Sequence, residues 1–195
     1  NDKTLGPLSS TGKALGALFH SITPRTAGAN TLPMADLTHA TLFLTIFLMF
    51  IGGGSGSTAG GIKVSTFAVL MATAFSQLKG REDVVLFKRR IVMQSILKAL
   101  TVAMSGIMIV VIVTFLLSIT EPGHDFILYL FEATSAFGTV GLSMGLTPEL
   151  SPFGRILIIL TMFVGRLGPL TLGFAVSKRR KKEAYHYIKG NIMIG

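Results

Sequence analysis

The chain has 195 residues, of which 50% are hydrophobic and only 14% charged, and its formal net charge at pH 7 is +9. A soluble domain carries about 25% charged residues, so this composition is typical of a membrane protein. Six of the 18 Lys and Arg residues lie in 79–98 and six in 178–189. This clustering argues against nucleic-acid binding and indicates cytosolic loops beside membrane spans. The absence of cysteine excludes disulfides and thiolate metal sites.

The first half of the chain contains apolar segments that are each too short to cross a bilayer. Residues 11–21 form a short apolar stretch, and a segment rich in Pro, Gly and Thr follows at 23–33. Two further apolar segments, 40–51 and 64–78, flank the Gly-rich loop, which we define as residues 52–63. Together these two segments have the length of one span. The pattern therefore predicts a helix that is broken near the middle of the membrane.

The second half begins with an uninterrupted span. Residues 99–119 include no charged residue, and these 21 residues measure about 30 Å as a helix, the thickness of the hydrocarbon layer. We predict a transmembrane helix from about residue 91 to 119. A short helical stretch at 125–136 follows, with Asp125 as N-cap or first-turn acid. A last apolar segment at 153–177 is interrupted at 165–169 and ends in a basic tail.

The two halves repeat each other at a fixed spacing. Thr-Ala-Gly at 26–28 and Thr-Val-Gly at 139–141 lie 113 residues apart. Met-Phe-Ile-Gly at 49–52 and Met-Phe-Val-Gly at 162–165 have the same separation. A shared spacing predicts an internal repeat of short helix, Thr-x-Gly loop and broken helix.

A Thr-x-Gly loop after a short helix suggests a cation site built from backbone. Irregular backbone at membrane depth must be buried in protein or line water, and carbonyl oxygens can replace the hydration shell of a monovalent cation. A lone Thr-x-Gly is better explained as a helix C-cap turn, but two in register with two broken helices favour the cation site. The predicted carbonyl donors are Thr26, Ala27, Gly28 and Ala29, and Thr139, Val140, Gly141 and Leu142.

Longer motifs resemble a known family. Phe-His-Ser-Ile-Thr-Pro-Arg-Thr-Ala-Gly-Ala-Asn-Thr at 19–31 and the Gly-rich loop are similar to the third repeat of a KtrB-type subunit of the Ktr/Trk/HKT superfamily of cation transporters. Residues 131–143 and 163–171 resemble the fourth repeat. The resemblance implies a four-repeat pore with one filter glycine from each repeat, matched here by Gly28 and Gly141. This chain has only two such loops, so we expect it to be the C-terminal part of a longer polypeptide.

The resemblance implies an all-α membrane protein with two tandem repeats of helix, pore helix, filter loop and broken helix, the first repeat being incomplete. The expected units are 1–80, 81–177 and a basic cytosolic tail at 178–195. The Gly-rich loop would be an intramembrane gate. The gate residues would be Gly52, Gly53, Gly54, Ser55, Gly56, Ser57, Thr58, Ala59, Gly60, Gly61, Lys63 and Arg166.

Other interpretations of the Gly-rich loop are weaker. A flexible linker would still have to satisfy its backbone polar groups at membrane depth. A nucleotide phosphate loop needs Gly-Lys-Ser/Thr, whereas Ile62 separates Gly61 from Lys63 here. We therefore expect no nucleotide site in this segment.

Several charged residues carry separate expectations. An Arg in the middle of a span is costly in lipid, so Arg166 should face the protein interior and find carbonyl partners. Its guanidinium group would either bond the Gly-rich loop or add a positive barrier below the filter. Lys63 could add to this barrier or extend toward the cytosol. Arg25 should brace the first Thr-x-Gly loop, and Arg155 should be a snorkelling anchor near the outer boundary. Glu132 could brace the second loop or add negative potential.

No pattern of an enzyme is present. The four His residues lack metal-ligand spacing and are better explained as capping or surface residues; they are His20, His39, His124 and His186. The resemblance implies K⁺ as the transported ion, with Na⁺ also possible, and no cofactor in this chain. The implied partners are the missing N-terminal repeats, a second copy in a homodimer, the bilayer, and a KtrA-type cytosolic nucleotide-binding ring.

These observations predict gated, channel-like potassium uptake across the cell membrane, with loop 79–90 and the tail in the cytosol. A secondary symporter with alternating access is an alternative, but it should show inverted repeats, whereas both broken helices here end in basic segments. A non-conducting membrane scaffold is a second alternative.

Overall fold

The computed structural model describes residues 4–81, 83–86 and 88–168. The predicted second half of the last broken helix and the basic tail lie outside these residues. The described part is mostly helical, as predicted. Its elements in chain order are α1 (Ser10–Ile22), α2 (His39–Phe50), α3 (Val64–Leu78), β1 (Val85–Leu86), β2 (Arg89–Arg90), α4 (Met93–Thr120), α5 (Phe126–Gly138) and α6 (Pro152–Leu167).

Helix α4 is the predicted span. Its 28 residues begin and end within two residues of the predicted bounds, and it is the one helix in the described part long and apolar enough to cross a membrane. One side of α4 is buried, from Ala99 to Leu117, at a spacing of three or four residues. The other side exposes large apolar side chains such as Met108 and Phe115. This division suits a helix with one face on protein and one on lipid.

Helix α5 lies at the centre of the described chain. It packs against α2, α4 and α6, and every residue from Phe131 to Gly138 is buried. Phe137 is completely inaccessible and its ring stacks on Phe50 of α2 at a centroid distance of 5.8 Å. A helix buried on all sides has to lie inside a bundle. The second Thr-x-Gly loop is therefore held among three helices.

The two halves share local structure at the same spacing of 113 residues. Short 3-10 helices occur at Met34–Asp36 and Thr147–Glu149. Helix α2 begins after Thr38, whose hydroxyl accepts a hydrogen bond from a backbone N–H three residues later, and α6 begins after Ser151 with the same bond. These side-chain caps define corresponding starts for the two long helices.

Backbone hydrogen bonds join the two sides of the break between α2 and α3. The N–H of Gly52 donates to the Ile62 carbonyl at 2.8 Å, and the N–H of Ile62 donates to the Phe50 carbonyl at 3.1 Å. The N–H of Val64 then donates to the Gly53 carbonyl at 3.1 Å. These bonds satisfy backbone groups that the missing helical turns would leave unpaired. The Gly-rich loop is therefore a closed hairpin-like excursion between two helices.

A short β-hairpin between α3 and α4 was not predicted. Val85 pairs with Arg90 and Leu86 with Arg89, and Lys88 in the turn has a φ of 61°. The expectation of a purely helical chain overlooked this ladder, because two-residue strands carry too little alternation to be distinguished from a loop. The hairpin lies where we predicted a basic loop.

Candidate ion pathway

The two Thr-x-Gly loops have the same backbone conformation. Thr26 and Gly28 have φ values of 67° and 70°, and Thr139 and Gly141 have φ values of 50° and 89°. A positive φ is uncommon for threonine and ordinary for glycine. Each loop therefore alternates left-handed residues with one intervening residue, at positions 113 apart.

The two loops are in contact. A methyl group added at Gly28 would lie 2.7 Å from the Val140 carbonyl oxygen, and one added at Gly141 would lie 3.4 Å from the Gly28 Cα. The repeat therefore brings together loops that are more than one hundred residues apart in the chain. If Gly28 and Gly141 lay far apart in continuous helices, the cation-site hypothesis would be contradicted. This arrangement is not observed.

A hydroxyl at the end of each short helix holds the last residue of each loop. The Thr23 hydroxyl donates to the Ala29 carbonyl, and the Ser135 hydroxyl donates to the Leu142 carbonyl at 2.6 Å. Thr23 and Ser135 are both buried. These two residues do not occupy corresponding positions in the repeat, and the sequence comparison did not identify them. The shared function of the two hydroxyls emerges only from the structure.

The Gly-rich loop lies directly against the second Thr-x-Gly loop. The N–H of Gly60 donates to the Thr139 hydroxyl at 3.1 Å. A methyl group at Gly60 would lie 2.5 Å from that oxygen and 2.8 Å from the Gly138 carbonyl. Only a residue without a side chain fits at this distance. The structure thus brings the predicted gate residue Gly60 together with the predicted filter residue Thr139.

Lys63 closes the Gly-rich loop on itself. Its ammonium group donates to the Ser57 carbonyl at 3.1 Å and to the Ala59 carbonyl. We predicted that Lys63 either adds to the barrier or extends toward the cytosol. Neither prediction included bonds within its own loop. The exposed tip nearby, at Gly54 and Gly56, has open space around both glycines. The loop therefore has a base held by Lys63 and an exposed tip, which the hydrogen bond between the Ser55 and Ser65 hydroxyls joins to α3.

Comparison with known proteins identifies the family. The model of the TrkH family, described as a cation transport protein, matches residues 1–186. The chain belongs to this TrkH cation transport family. It is 44% identical over its full length to Ktr system potassium uptake protein B of Bacillus subtilis and covers 43% of that protein. It is 41% identical to the potassium/sodium uptake protein NtpJ of Enterococcus hirae, again over its full length, and covers 44% of it.

A solved structure supports the fold of this TrkH-family chain. The crystal structure of the potassium transporter TrkH from Vibrio parahaemolyticus matches it with a TM-score of 0.73 and 24% identity, covering 88% of this chain and 39% of that one. The 44% identity to Ktr system potassium uptake protein B confirms the resemblance to KtrB-type subunits noted in the sequence. The chain spans less than half the length of these relatives.

Arg166 of the TrkH-family chain lies near the end of α6. Its neighbour Gly165 packs so closely on α5 that an added methyl would lie 1.9 Å from the Phe137 carbonyl oxygen. Arg166 itself is exposed, and its side chain has no hydrogen bond or ion pair with the described residues. The predicted carbonyl partners and the bond to the Gly-rich loop are thus not found within residues 4–168. The Gly168 N–H donates to the Val164 carbonyl at the end of α6, so Arg166 lies in the last turn of this helix.

Glu132 braces the segment after the second Thr-x-Gly loop. It is 4% exposed, and its carboxylate accepts hydrogen bonds from the Ser143 hydroxyl, from the Met144 N–H at 3.2 Å and from the Thr147 hydroxyl at 3.0 Å. Of the two functions considered for this acid, the contacts favour bracing. The sequence placed Glu132 near the loop, but its partners eleven to fifteen residues later could not be read from spacing.

A second bracing acid was overlooked in the sequence. The Glu121 carboxylate accepts from the backbone N–H of Ser151 at 3.2 Å and from its hydroxyl. It thereby joins the end of α4 to the start of α6, where a helix N-terminus favours a negative charge. The sequence Glu-Pro-Gly at 121–123 indicates a turn, but it gives no signal of a partner 30 residues away.

In the part of the chain that the structure describes, the other charged and titratable residues singled out in the sequence make no contact that indicates a binding site. The described residues include no group of three or more His, Asp or Glu that could hold a metal ion. His20 lies 3.1 Å from the Thr45 hydroxyl. His124 contacts Glu149 at 3.4 Å, and Arg155 donates to the Pro148 carbonyl at 3.0 Å. Arg25 is exposed, and His186 lies outside the described residues.

Proposed function

We propose that this chain forms half of a gated pathway through which K⁺ enters the cell, and that this uptake depends on Na⁺. The single observation that carries this proposal is the contact between two Thr-x-Gly loops of identical left-handed geometry. Two of its relatives are named for potassium uptake and for potassium/sodium uptake.

The backbone geometry supports an oxygen-lined cation site. Left-handed residues alternating with others redirect successive peptide carbonyls, and a carbonyl-lined loop can replace the hydration shell of K⁺. Helices α1 and α5 end just before the loops, so their partly negative C-termini favour a cation there. Because Ala29 and Leu142 already accept hydroxyl bonds, we assign ion contact chiefly to the carbonyls of 26–28 and 139–141.

The Gly-rich loop is the proposed gate. It contacts Thr139 through Gly60 and is closed by Lys63, so it lies at the base of the second filter loop. Arg166 adds positive charge on the α6 side of this base, where it would repel an approaching cation. Opening would require the loop to leave Thr139.

Partners follow from the same assignment. The described half of the pathway needs two further repeats to enclose an ion, and we place these in the same polypeptide. A homodimer, a KtrA-type nucleotide-binding ring on the cytosolic face, and a cytosolic location of 79–90 and the tail are parts of the proposal. No cofactor is proposed for the chain itself.

The filter assignment is tested by K⁺ and Na⁺ flux into liposomes that contain the intact transporter. Gly28→Ala and Gly141→Ala each place a side chain at a positive φ, which costs about 1–3 kcal/mol, so K⁺ flux should fall by roughly tenfold or more and the preference for K⁺ should decrease. Gly123→Ala is the matched control, because Gly123 has a φ of 108° with open space around it. Equal losses in all three variants would refute the filter assignment.

The gate assignment has its own test. Deletion of Gly54 and Gly56 shortens the exposed tip and removes the Gly54 carbonyl, which accepts from the Ser57 N–H at 3.1 Å and from the Ser57 hydroxyl at 2.7 Å. It should raise K⁺ flux in the unstimulated transporter. Arg166→Gln should also accelerate transport because it removes a positive barrier. Unchanged flux in the deletion would exclude a gate, and slower or equal flux in Arg166→Gln would exclude the barrier.

A further inference from the structure

The β-hairpin between α3 and α4 presents a concentrated positive charge. Five basic residues lie in the twelve positions from 79 to 90, against two acids at 82 and 83. Arg89 and Arg90 are adjacent on β2 and both are exposed. The base of the hairpin is closed by its buried residue Val84, whose carbonyl accepts the Ile91 N–H at 2.9 Å. The basic side chains are thus displayed on an ordered element.

An open cavity of about 510 Å³ lies beside these charges. One wall is apolar and comes from the start of α4, including Val92, Met93 and Ile96. The rest of the lining is polar, with Gln77 of α3 and the ion pair of Arg90 with Asp83. Val92 and Met93 are 67% and 64% exposed. The cavity therefore has an apolar side and a charged edge that lies within a segment of net positive charge.

The position of the cavity along α4 suggests what fills it. The charge-free run of α4 begins at Ala99, so the first turns of this helix and the hairpin lie at the edge of the hydrocarbon layer. Exposed apolar side chains below basic ones match the interface between acyl chains and headgroups. Arg90 is 75% exposed and shares one N–H with Asp83 at 2.8 Å, which leaves further donors available.

We propose that this cavity binds an anionic phospholipid, with the phosphate at Arg90, in the positive field of the other basic residues of 79–90, and an acyl chain along Val92, Met93 and Ile96. The charge complementarity selects an anionic over a zwitterionic headgroup. The Gln77 amide, which makes no hydrogen bond with the described residues, is placed to donate to the same headgroup. This site is separate from the proposed ion pathway and does not depend on that assignment.

Native mass spectrometry of the intact transporter tests the proposal. The protein is released from nanodiscs that contain phosphatidylglycerol and phosphatidylcholine, and retained lipids are counted. The double variant Arg89→Gln/Arg90→Gln should lose phosphatidylglycerol by severalfold and leave phosphatidylcholine unchanged. The matched control Lys13→Gln/Arg155→Gln removes two exposed basic residues far from the hairpin and should retain phosphatidylglycerol. Equal loss in both double variants would overturn a specific site, as would no loss in either.

A variant with the opposite effect separates binding from misfolding. Asp83→Asn removes the ion pair that competes for Arg90, so phosphatidylglycerol retention should increase severalfold. A damaged protein would not gain a ligand. If Asp83→Asn reduces retention, or if the hairpin proves to retain a protein partner and no lipid, the proposal is wrong.

Discussion

The two short helices of this TrkH-family chain are alike in length but different in surroundings. Helices α1 and α5 each have 13 residues and each lead into a left-handed Thr-x-Gly loop. Helix α5 buries nine residues among α2, α4 and α6, whereas no residue of α1 is buried in the described part of the chain. The loop after each helix is nevertheless the same.

This difference separates the part of the loop conformation that the local sequence sets from the part that neighbouring elements set. Because both loops keep positive φ at Thr and Gly, that conformation follows from the local sequence and the hydroxyl bonds to Ala29 and Leu142. Rigidity of the second loop comes in addition from Glu132 and from the Gly-rich loop at Thr139. The two repeats should therefore respond differently to equivalent substitutions.

The largest expected difference concerns Glu132, whose counterpart in the first repeat is Phe19. Glu132→Ala removes a buried carboxylate and leaves three donors without their partner, at a cost of about 3 kcal/mol or more in stability. We expect a clearly lower thermal midpoint and strongly reduced K⁺ flux. Glu149→Ala, a loss of an acid that is 63% exposed, is the control. Equal stability of the two variants would contradict the bracing function of Glu132.

A smaller effect is expected at Lys63, which belongs to the break in the first repeat. Lys63→Ala removes charge-assisted bonds to the Ser57 and Ala59 carbonyls. Because this side chain is only partly buried, water replaces much of their contribution and the net loss is about 1–2 kcal/mol. The loop should open more often, and unstimulated K⁺ flux should rise severalfold. Lys63→Arg should restore much of the closure, and Lys13→Ala, on exposed α1 surface, should have no effect. A decrease in flux would instead assign Lys63 to the conducting state.

The sequence predicted the elements that have strong local signals. The span of α4 followed from a long charge-free run, and the break after Phe50 followed from the glycines of the Gly-rich loop. The spacing of 113 residues placed both Thr-x-Gly loops in register. Their mutual contact was implied only by the family resemblance, because spacing alone says nothing of distance across a fold.

Partners distant in the chain could not be predicted. Glu121 binds Ser151, 30 residues away, and Gly60 binds Thr139, 79 residues away. Neither pair has a periodic pattern that marks it. Arg166 is exposed within the described residues, and the expectation that an arginine at membrane depth faces the interior stays a prediction. That expectation came from the cost of charge in lipid, which does not specify where on the helix surface the side chain lies.

The smallest expected effect compares the two filter threonines directly. The Thr139 hydroxyl accepts from Gly60, whereas the Thr26 hydroxyl makes no hydrogen bond with the described residues. Thr139→Val removes an acceptor and keeps the shape of the side chain, which costs about 1 kcal/mol and should raise unstimulated flux by roughly fivefold through a less firmly held gate. Thr26→Val should leave that flux nearly unchanged.

Selectivity distinguishes this effect from damage to the filter itself. Valine retains the backbone carbonyl at either position, so the preference for K⁺ over Na⁺, measured in the same liposomes, should be preserved in both variants. Thr139→Ser keeps the acceptor and should behave as the unmodified transporter. If Thr26→Val and Thr139→Val raise flux equally, the hydrogen bond to Gly60 does not hold the gate, and the two loops are equivalent in function as well as in backbone geometry.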